Sequence, residues 1–400
     1  MKHSRSSPFV LFRNRNYSVL WLTEFFSEFA VALSNLATTI LVFRLTGSAF
    51  QVGLVLVVQS LPSLLIGLIA GVFADRYDHR RTMWITRMMR AGVLLVLPLL
   101  LPLGGVVWLY IALILTSAVA EFTEAAFAAL LPEVVQPEDL APANALMEVS
   151  TIGATVLGYA AAGILVSALS PGWVFVFCGV FYALSALLTR FLTPLPQGSS
   201  LFVEPQESSL KAVLDNLASG LRYIPKMSAL RSLVFVLVLS GITVGLFNAI
   251  LLPFAQRAMG ATDLEYSLFE SIQSVGFVAG ALLMVALADR LHEGQWLTIS
   301  FSGLGATMLW LIIAPNVATA YLPLFALGLV NAPNYVVRGL LVQHNSPRHL
   351  RGRVASTFSL MRHAMLCSSA CCWVVLPIKS MCACSCRCRR LASSSPACLC

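Results

Sequence analysis

The chain has 400 residues, 58% of them hydrophobic and only 11% charged; an ordinary soluble domain is about one quarter charged, so a water-soluble globule is excluded. Its formal net charge is +8. The Lys and Arg residues are strung between apolar segments rather than gathered into one patch, which excludes a nucleic-acid surface.

Apolar segments of about 20 residues, the length that spans a bilayer, recur from the N-terminus at 19–43, 50–73, 83–102, 105–130, 143–168, 173–194, 231–256, 266–288, 296–314 and 318–342. They predict an all-α polytopic membrane protein, because backbone groups in hydrocarbon must be satisfied within helices, and barrel strands would be shorter and alternating. The first segment carries Glu24 and Glu28 in "WLTEFFSEFA", one turn apart on one face. The second holds Gln59 and Ser60 and runs into "GVFADRYDHRR". Arg87 and Arg90 open the third, and the fourth ends in "AVAEFTEAAFAALLPE", with Glu121 and Glu124. In the fifth, "TIGATVLGYAAAGILV", Gly153, Gly158 and Gly163 recur every five residues, small positions that let helices approach closely.

A polar stretch follows the sixth segment. Within it Leu210, Val213, Leu214, Leu217, Leu221 and Tyr223 predict an amphipathic helix along the membrane surface. The eighth segment carries Gln273, and the tenth, in "NAPNYVVRGLLVQ", presents Asn334 and Arg338. The chain therefore divides into a six-helix half (1–194), a linker (195–230), a second half (231–366) and a Cys-rich tail (367–400).

With the N-terminus inside, the external loops hold only Arg44 and Arg257. The cytoplasmic side receives Lys2, Arg5, Arg13 and Arg15, then Arg76, Arg80 and Arg81, then Arg190, Lys211, Arg222, Lys226 and Arg231, and finally Arg290, Arg348, Arg351 and Arg353. This is the positive-inside bias, and it predicts a cytoplasmic N-terminus.

Ionisable residues inside spans are costly and so are functional candidates. Glu24, Glu28, Glu121 and Glu124 are candidates for proton exchange, with Glu28 favoured because Glu24 and Glu124 sit nearer the surface. Arg87 and Arg90 are candidate partners for Glu121 and Glu124 in structural ion pairs. Gln59, Gln273, Asn334 and Arg338 are candidate cavity contacts; either Gln can equally pack helices by hydrogen bonding. Other chemistry is unsupported. There is no Gly-x-x-x-x-Gly-Lys-Ser/Thr loop for ATP, none of the six His residues forms a zinc pattern, and no nucleophile–base set marks an enzyme. No cofactor or metal is expected.

The two halves resemble each other. "GVFADRYDHRRTMWI" after the second segment matches "VALADRLHEGQWLTI" after the eighth, with Asp75 and Asp289 214 residues apart, and Gln59-Ser60 matches Gln273-Ser274 at the same offset. Pro137 and Pro347 lie in a further match at an offset of 210. Parallel repeats of this kind mark one transporter architecture, with the cargo site between the halves near the midplane.

At "GVFADRYDHRR" the sequence resembles the major facilitator superfamily, whose signature between helices two and three runs Gly-x-x-x-Asp-Arg-x-Gly-Arg-Arg/Lys. Gly71, Asp75, Arg76, Arg80 and Arg81 match, and Asp78 replaces the usual Gly. The resemblance implies that this loop, with Asp289 and Arg290 in the second half, latches one conformational state, with Arg80 and Arg81 facing the lipid phosphates. More narrowly, "LFRNRNYSVLWLTEFFSEFAVALSNLATTILVFRLTGS", "LPEVVQPEDLAPANAL" and "HLRGRVASTFSLMRHA" resemble the branch of enterobactin-type siderophore exporters and macrolide efflux pumps, from Leu11 to Ala364. That branch tends to carry Gln where this chain has Glu24 and Glu28, and Asp where it has Val31. Antiporter members have a Gly-Pro pair where this chain has Gly158-Tyr159.

The resemblance implies a monomeric, multi-pass exporter of the bacterial inner membrane, proton-coupled, moving a drug- or siderophore-sized organic molecule by alternating access. A uniporter or importer, or a non-transporting sensor-like protein, is the alternative.

Family members have twelve helices, whereas 36 residues remain after Ala364, among them nine of the ten cysteines. An eleventh span drawn over 354–378 would put Lys379, Arg387, Arg389 and Arg390 outside, against the charge rule. The Cys spacing lacks Cys-x-x-Cys pairs, and a palmitoylated cluster has no supporting feature. A shifted reading frame near codon 365 is the expected origin of this tail.

Overall fold

The computed structural model describes residues 8–74, 77–136, 138–169, 171–193, 227–287, 292–344 and 361. Asp75, Arg76, Pro137, the linker helix, Asp289, Arg290, Pro347 and the Cys-rich tail lie outside the described residues. So does the side chain of Arg338.

A 3-10 turn, Pro8–Arg13, leads into α1, Arg15–Thr46. The helices that follow are α2 Ala49–Ala74, α3 His79–Gly104, α4 Val106–Val134, α5 Leu140–Ala168, α6 Pro171–Thr189, α7 Ser228–Ala258, α8 Asp263–Ala286, α9 Glu293–Ile313 and α10 Val317–His344. The order matches the ten expected segments. Among the described residues nine of these helices are long and apolar enough to cross a membrane, and the protein is a multi-pass membrane protein. Leu99, Leu103, Phe235, Leu282 and Ile313 point outward and are exposed, an apolar surface suited to lipid.

Local chemistry fixes the helix ends. Asn14 caps α1 by accepting from the amides of Asn16 (3.0 Å) and Tyr17 (3.3 Å), and its own Nδ2 donates to the carbonyl of Val134 at 2.9 Å. Asp78, the departure from the Gly signature, caps α3 by accepting from the Arg81 amide at 2.7 Å. Helix α6 stops at Thr189, five residues short of the expected limit. There Arg80 of α3 donates to the carbonyls of Thr189 (3.2 Å) and Arg190 (2.5 Å), supplying donors for a helix C-terminus. The guanidinium of Arg80 is therefore turned toward α6 rather than toward lipid phosphates.

The start of α1 lies beside the end of α4, the start of α5 and the residues after α6, through Asn14–Val134, Tyr17–Ala143 and Asn16–Thr193. We call this end of the bundle proximal, and the end where α1 finishes distal. The repeat is visible in the packing: α2 and α3 pack on α4 as α8 and α9 pack on α10. The halves meet through α5 against α8 and α2 against α7.

The cores divide unequally. At the proximal end each half keeps its own cluster, Tyr17, Leu20, Met83, Leu130 and Met147 in the first and Met284, Trp296 and Val337 in the second. At the distal end one cluster runs through both halves, joining Leu36, Ile40, Phe43, Val52 and Val166 to Leu252, Ala255, Tyr266 and Phe269. Among the described residues the apolar core is therefore continuous between the halves only toward the distal end.

Candidate functional site

Helix α1 rises about 1.5 Å per residue, which sets Glu24 about 14 Å and Glu28 about 20 Å from its proximal start. By the same rise Arg87 and Arg90 on α3, and Glu124 and Glu121 on α4, lie at about 12–20 Å from that end. The sequence of each helix therefore delivers its ionisable groups to one layer inside the first half.

Within that layer the pairing is selective. Arg87 is wholly buried and forms an ion pair with buried Glu24 through Nη2, while its Nη1 donates to Thr189 Oγ1 at 3.2 Å. The sequence offered Arg87 to Glu121 or Glu124; the structure gives it to Glu24, because α1 and α3 both pack on α6. Glu121 instead accepts from Ser63 of α2 and lies against Gly67. Arg90 is buried, with its guanidinium over the Tyr182 ring at 4.3 Å from the centroid.

Glu28 and Glu124 differ from these. Glu124 is exposed and Glu28 half-buried, yet protein surrounds both, and they interact electrostatically with Glu24, Arg87 and Arg90. Both remain accessible at membrane depth while neighbouring the charged groups inside the first half. Among the described residues no ion pair engages either one.

The other candidates are distributed as follows. Gln59 donates to Asn35 Oδ1 of α1 at 3.2 Å, within its own half. Gln273 has a buried Oε1 without a hydrogen-bond partner among the described residues. Asn334 is fully buried, with Nδ2 at 3.5 Å from Asn331 Oδ1. Gly158 abuts the carbonyl of Phe29 and the side chain of Ala32 on α1, and Gly163 abuts Ser267 and Leu264 on α8. Among the described residues nothing lies within 4 Å of a Cβ built on Gly153, which therefore mediates no close approach to them. Among the described motif residues, Gly71 lies in the last turn of α2, and Arg81 follows the Asp78 cap.

One residue escaped the sequence reading. Glu270 lies in α8, about 10 Å from its distal start by helix rise, and Tyr266 donates to its Oε1 at 3.0 Å. Tyr159 of α5 interacts electrostatically with both Glu270 and Glu28, one carboxylate from each half. The signal was present: a carboxylate inside an apolar segment, passed over beside Gln273.

The Major Facilitator Superfamily model matches residues 20–370. The chain belongs to that superfamily. Superfamily relatives include the uncharacterized MFS-type transporter YkuC of Bacillus subtilis, 24% identical over 356 residues that cover 86% of this chain and 81% of YkuC. The multidrug efflux pump Tap of Mycolicibacterium fortuitum is 25% identical, covering 81% and 80% of the two chains. The enterobactin exporter EntS of Salmonella paratyphi A is 23% identical, covering 84% and 80%. Among solved structures, the nucleoside transporter NupG aligns with a TM-score of 0.70 at 13% identity, covering 89% of this chain and 89% of NupG. A bacterial homologue of the iron transporter ferroportin in an inward-facing state aligns with a TM-score of 0.69 at 15% identity, covering 91% and 92%. These superfamily structures share the fold.

Proposed function

We propose that the protein is a proton-coupled exporter of small amphipathic organic molecules, working in the bacterial inner membrane by alternating access. The observation that carries this reading is Glu28: a carboxylate at membrane depth, reachable from the interior and engaged by no ion pair among the described residues. Such a group can take up a proton and release it again as its surroundings change. Glu24 and Glu121 suit that role less, since Arg87 and Ser63 engage them. Glu124, Glu24, Arg90 and Arg87 are the charged neighbours of Glu28. Relatives named for efflux and for siderophore export favour outward movement.

A second observation bears on the cargo. Glu270 also has no cationic partner among the described residues, and Tyr159 interacts electrostatically with it and with Glu28. Carboxylates in both halves without an ion pair among the described residues, with the side chains of Arg87 and Arg90 buried, favour a cargo that carries positive charge. An anionic cargo would meet repulsion from both sides.

The test is transport into everted vesicles energised with a proton gradient, with ethidium as the cationic probe. Gradient-dependent accumulation should be present in the parent and abolished in Glu28→Gln. Retained gradient-dependent accumulation in that variant would overturn the coupling assignment. Equal accumulation of an anionic dye of the same size would overturn the charge preference.

A further inference from the structure

The sequence puts two basic residues on the distal side, Arg44 and Arg257, and the proposed proton coupling involves neither. They end α1 and α7 in the same way. Arg44-Leu45-Thr46-Gly47 and Arg257-Ala258-Met259-Gly260 share the pattern Arg-x-x-Gly at an offset of 213 residues, one short of the offset that relates Asp75 to Asp289. Each pattern closes on a glycine in the left-handed region, Gly47 with φ 61° and Gly260 with φ 69°, where a side chain would be strained. Both turns belong to the repeat.

Each arginine crosses to the other half. Arg44 pairs with Asp263 at the start of α8, and Gln256 Nε2 holds the second oxygen of that carboxylate at 2.5 Å. Arg257 donates to the carbonyl of Gly47, and its guanidinium lies 5.3 Å from the centroid of the Phe43 ring. The start of α8 is itself fixed by a capping box, in which the Thr262 amide donates to Glu265 Oε2 at 2.7 Å and the Glu265 amide donates to Thr262 Oγ1 at 3.3 Å. Asp263 therefore sits on a rigid helix end, where the helix dipole also favours its negative charge.

We propose that Arg44 and Arg257 form a reciprocal latch, one arginine from each half, whose release opens the distal end of the transporter. This rests on the alternating-access reading. Both contacts lie at the rim of the core cluster that joins the halves; they must break together for the halves to part there. The arrangement places a duplicated latch at the end of the bundle opposite the Gly-x-x-x-Asp-Arg loops. It also explains why these two arginines stand at matching places in the repeat. A single arginine would fix one edge of the seam and leave the halves free to pivot about it.

The test reads opening directly and needs no transport. Ser271 is buried and donates across the halves to the carbonyl of Val156, so Ser271→Cys is a near-isosteric reporter. A membrane-impermeant maleimide is added from the distal side of reconstituted full-length protein, and modification of residue 271 is followed by mass spectrometry. Asp263→Asn and Arg257→Ala should each raise the labelling rate by roughly fivefold, the size expected for loss of one partly exposed charged contact. The exchange Arg44→Asp with Asp263→Arg should return it toward the parent rate. Unchanged labelling in both single variants, or an exchange as reactive as the singles, would overturn the latch.

A measurement on the reporter protein without further substitution guards against misfolded variants. Salt screens a partly exposed ion pair, so labelling should quicken as salt rises, and Asp263→Asn should remove that dependence. A flat salt response would refute the role of the Arg44–Asp263 pair. Failure of vesicle transport with an intact labelling pattern would instead count against the proton-coupled export reading and leave the latch standing.

Discussion

Glu24 and Glu28 are one turn apart on the same helix, yet they face different fates, and the difference lies in what packs beside them. Glu24 points toward α3 and is neutralised by Arg87, which is fully buried. Removing one member of such a pair strands the other charge, so Arg87→Ala should destabilise the protein by about 3–5 kcal/mol. Unfolding in mixed micelles would measure this, and the double variant with Glu24→Ala should recover much of the loss. The depth of Glu24 was legible from its place in an apolar run; its partner was not. The pair spans 63 residues of sequence, and only the seating of α1 and α3 against α6 selects it. Asp78 is the opposite case. Set against the family signature it looks like a defect, but a capping residue one position ahead of a helix follows local rules. Asp78→Ala should cost about 1 kcal/mol in the same unfolding assay, and no loss would show that the cap is not used.

The existence of each helix was plain from the sequence, since a run of about twenty apolar residues leaves the backbone few alternatives. Their close contacts were only partly so. Gly276 and Gly280, a Gly-x-x-x-Gly pair on α8, let the backbone of α10 approach at Phe325 and Leu329, and Gly328 answers from α10 against the backbone of Gln273. A side chain at Gly276 or Gly280 would overlap main chain, which cannot yield as a side-chain tip can. Gly276→Val should therefore destabilise the second half by about 3 kcal/mol or more, and full retention of stability would contradict this packing. The equivalent substitution at Gly153, which faces open space, should leave stability unchanged. Spacing alone made Gly153, Gly158 and Gly163 look equivalent. Five-residue intervals carry successive positions around an α-helix, so only some of them meet a neighbour.

At the scale of the whole molecule, one distal core cluster joins the halves, while the proximal clusters among the described residues are separate. Gly53 of α2 faces Ala249 of α7, and a Cβ built on Gly53 would lie 3.5 Å from that of Ala249, within the range that a disulfide spans. The double substitution Gly53→Cys with Ala249→Cys should cross-link under oxidant and stop transport, with recovery on addition of dithiothreitol. Persistent transport by the cross-linked protein would mean that the distal seam does not open in the cycle. The repeat made two halves legible, but not which end would be shut. The two halves repeat one another's signals at each end, so the choice of which end closes rests on many small packing differences. The separate proximal cores bear also on how the protein is made. The first half already holds a buried cluster of its own, from Leu11 to Leu192, complete once α6 has been synthesised. It can assemble while the second half is still emerging, leaving only its distal apolar faces, around Ile40 and Val52, to wait in the bilayer for α7 and α8.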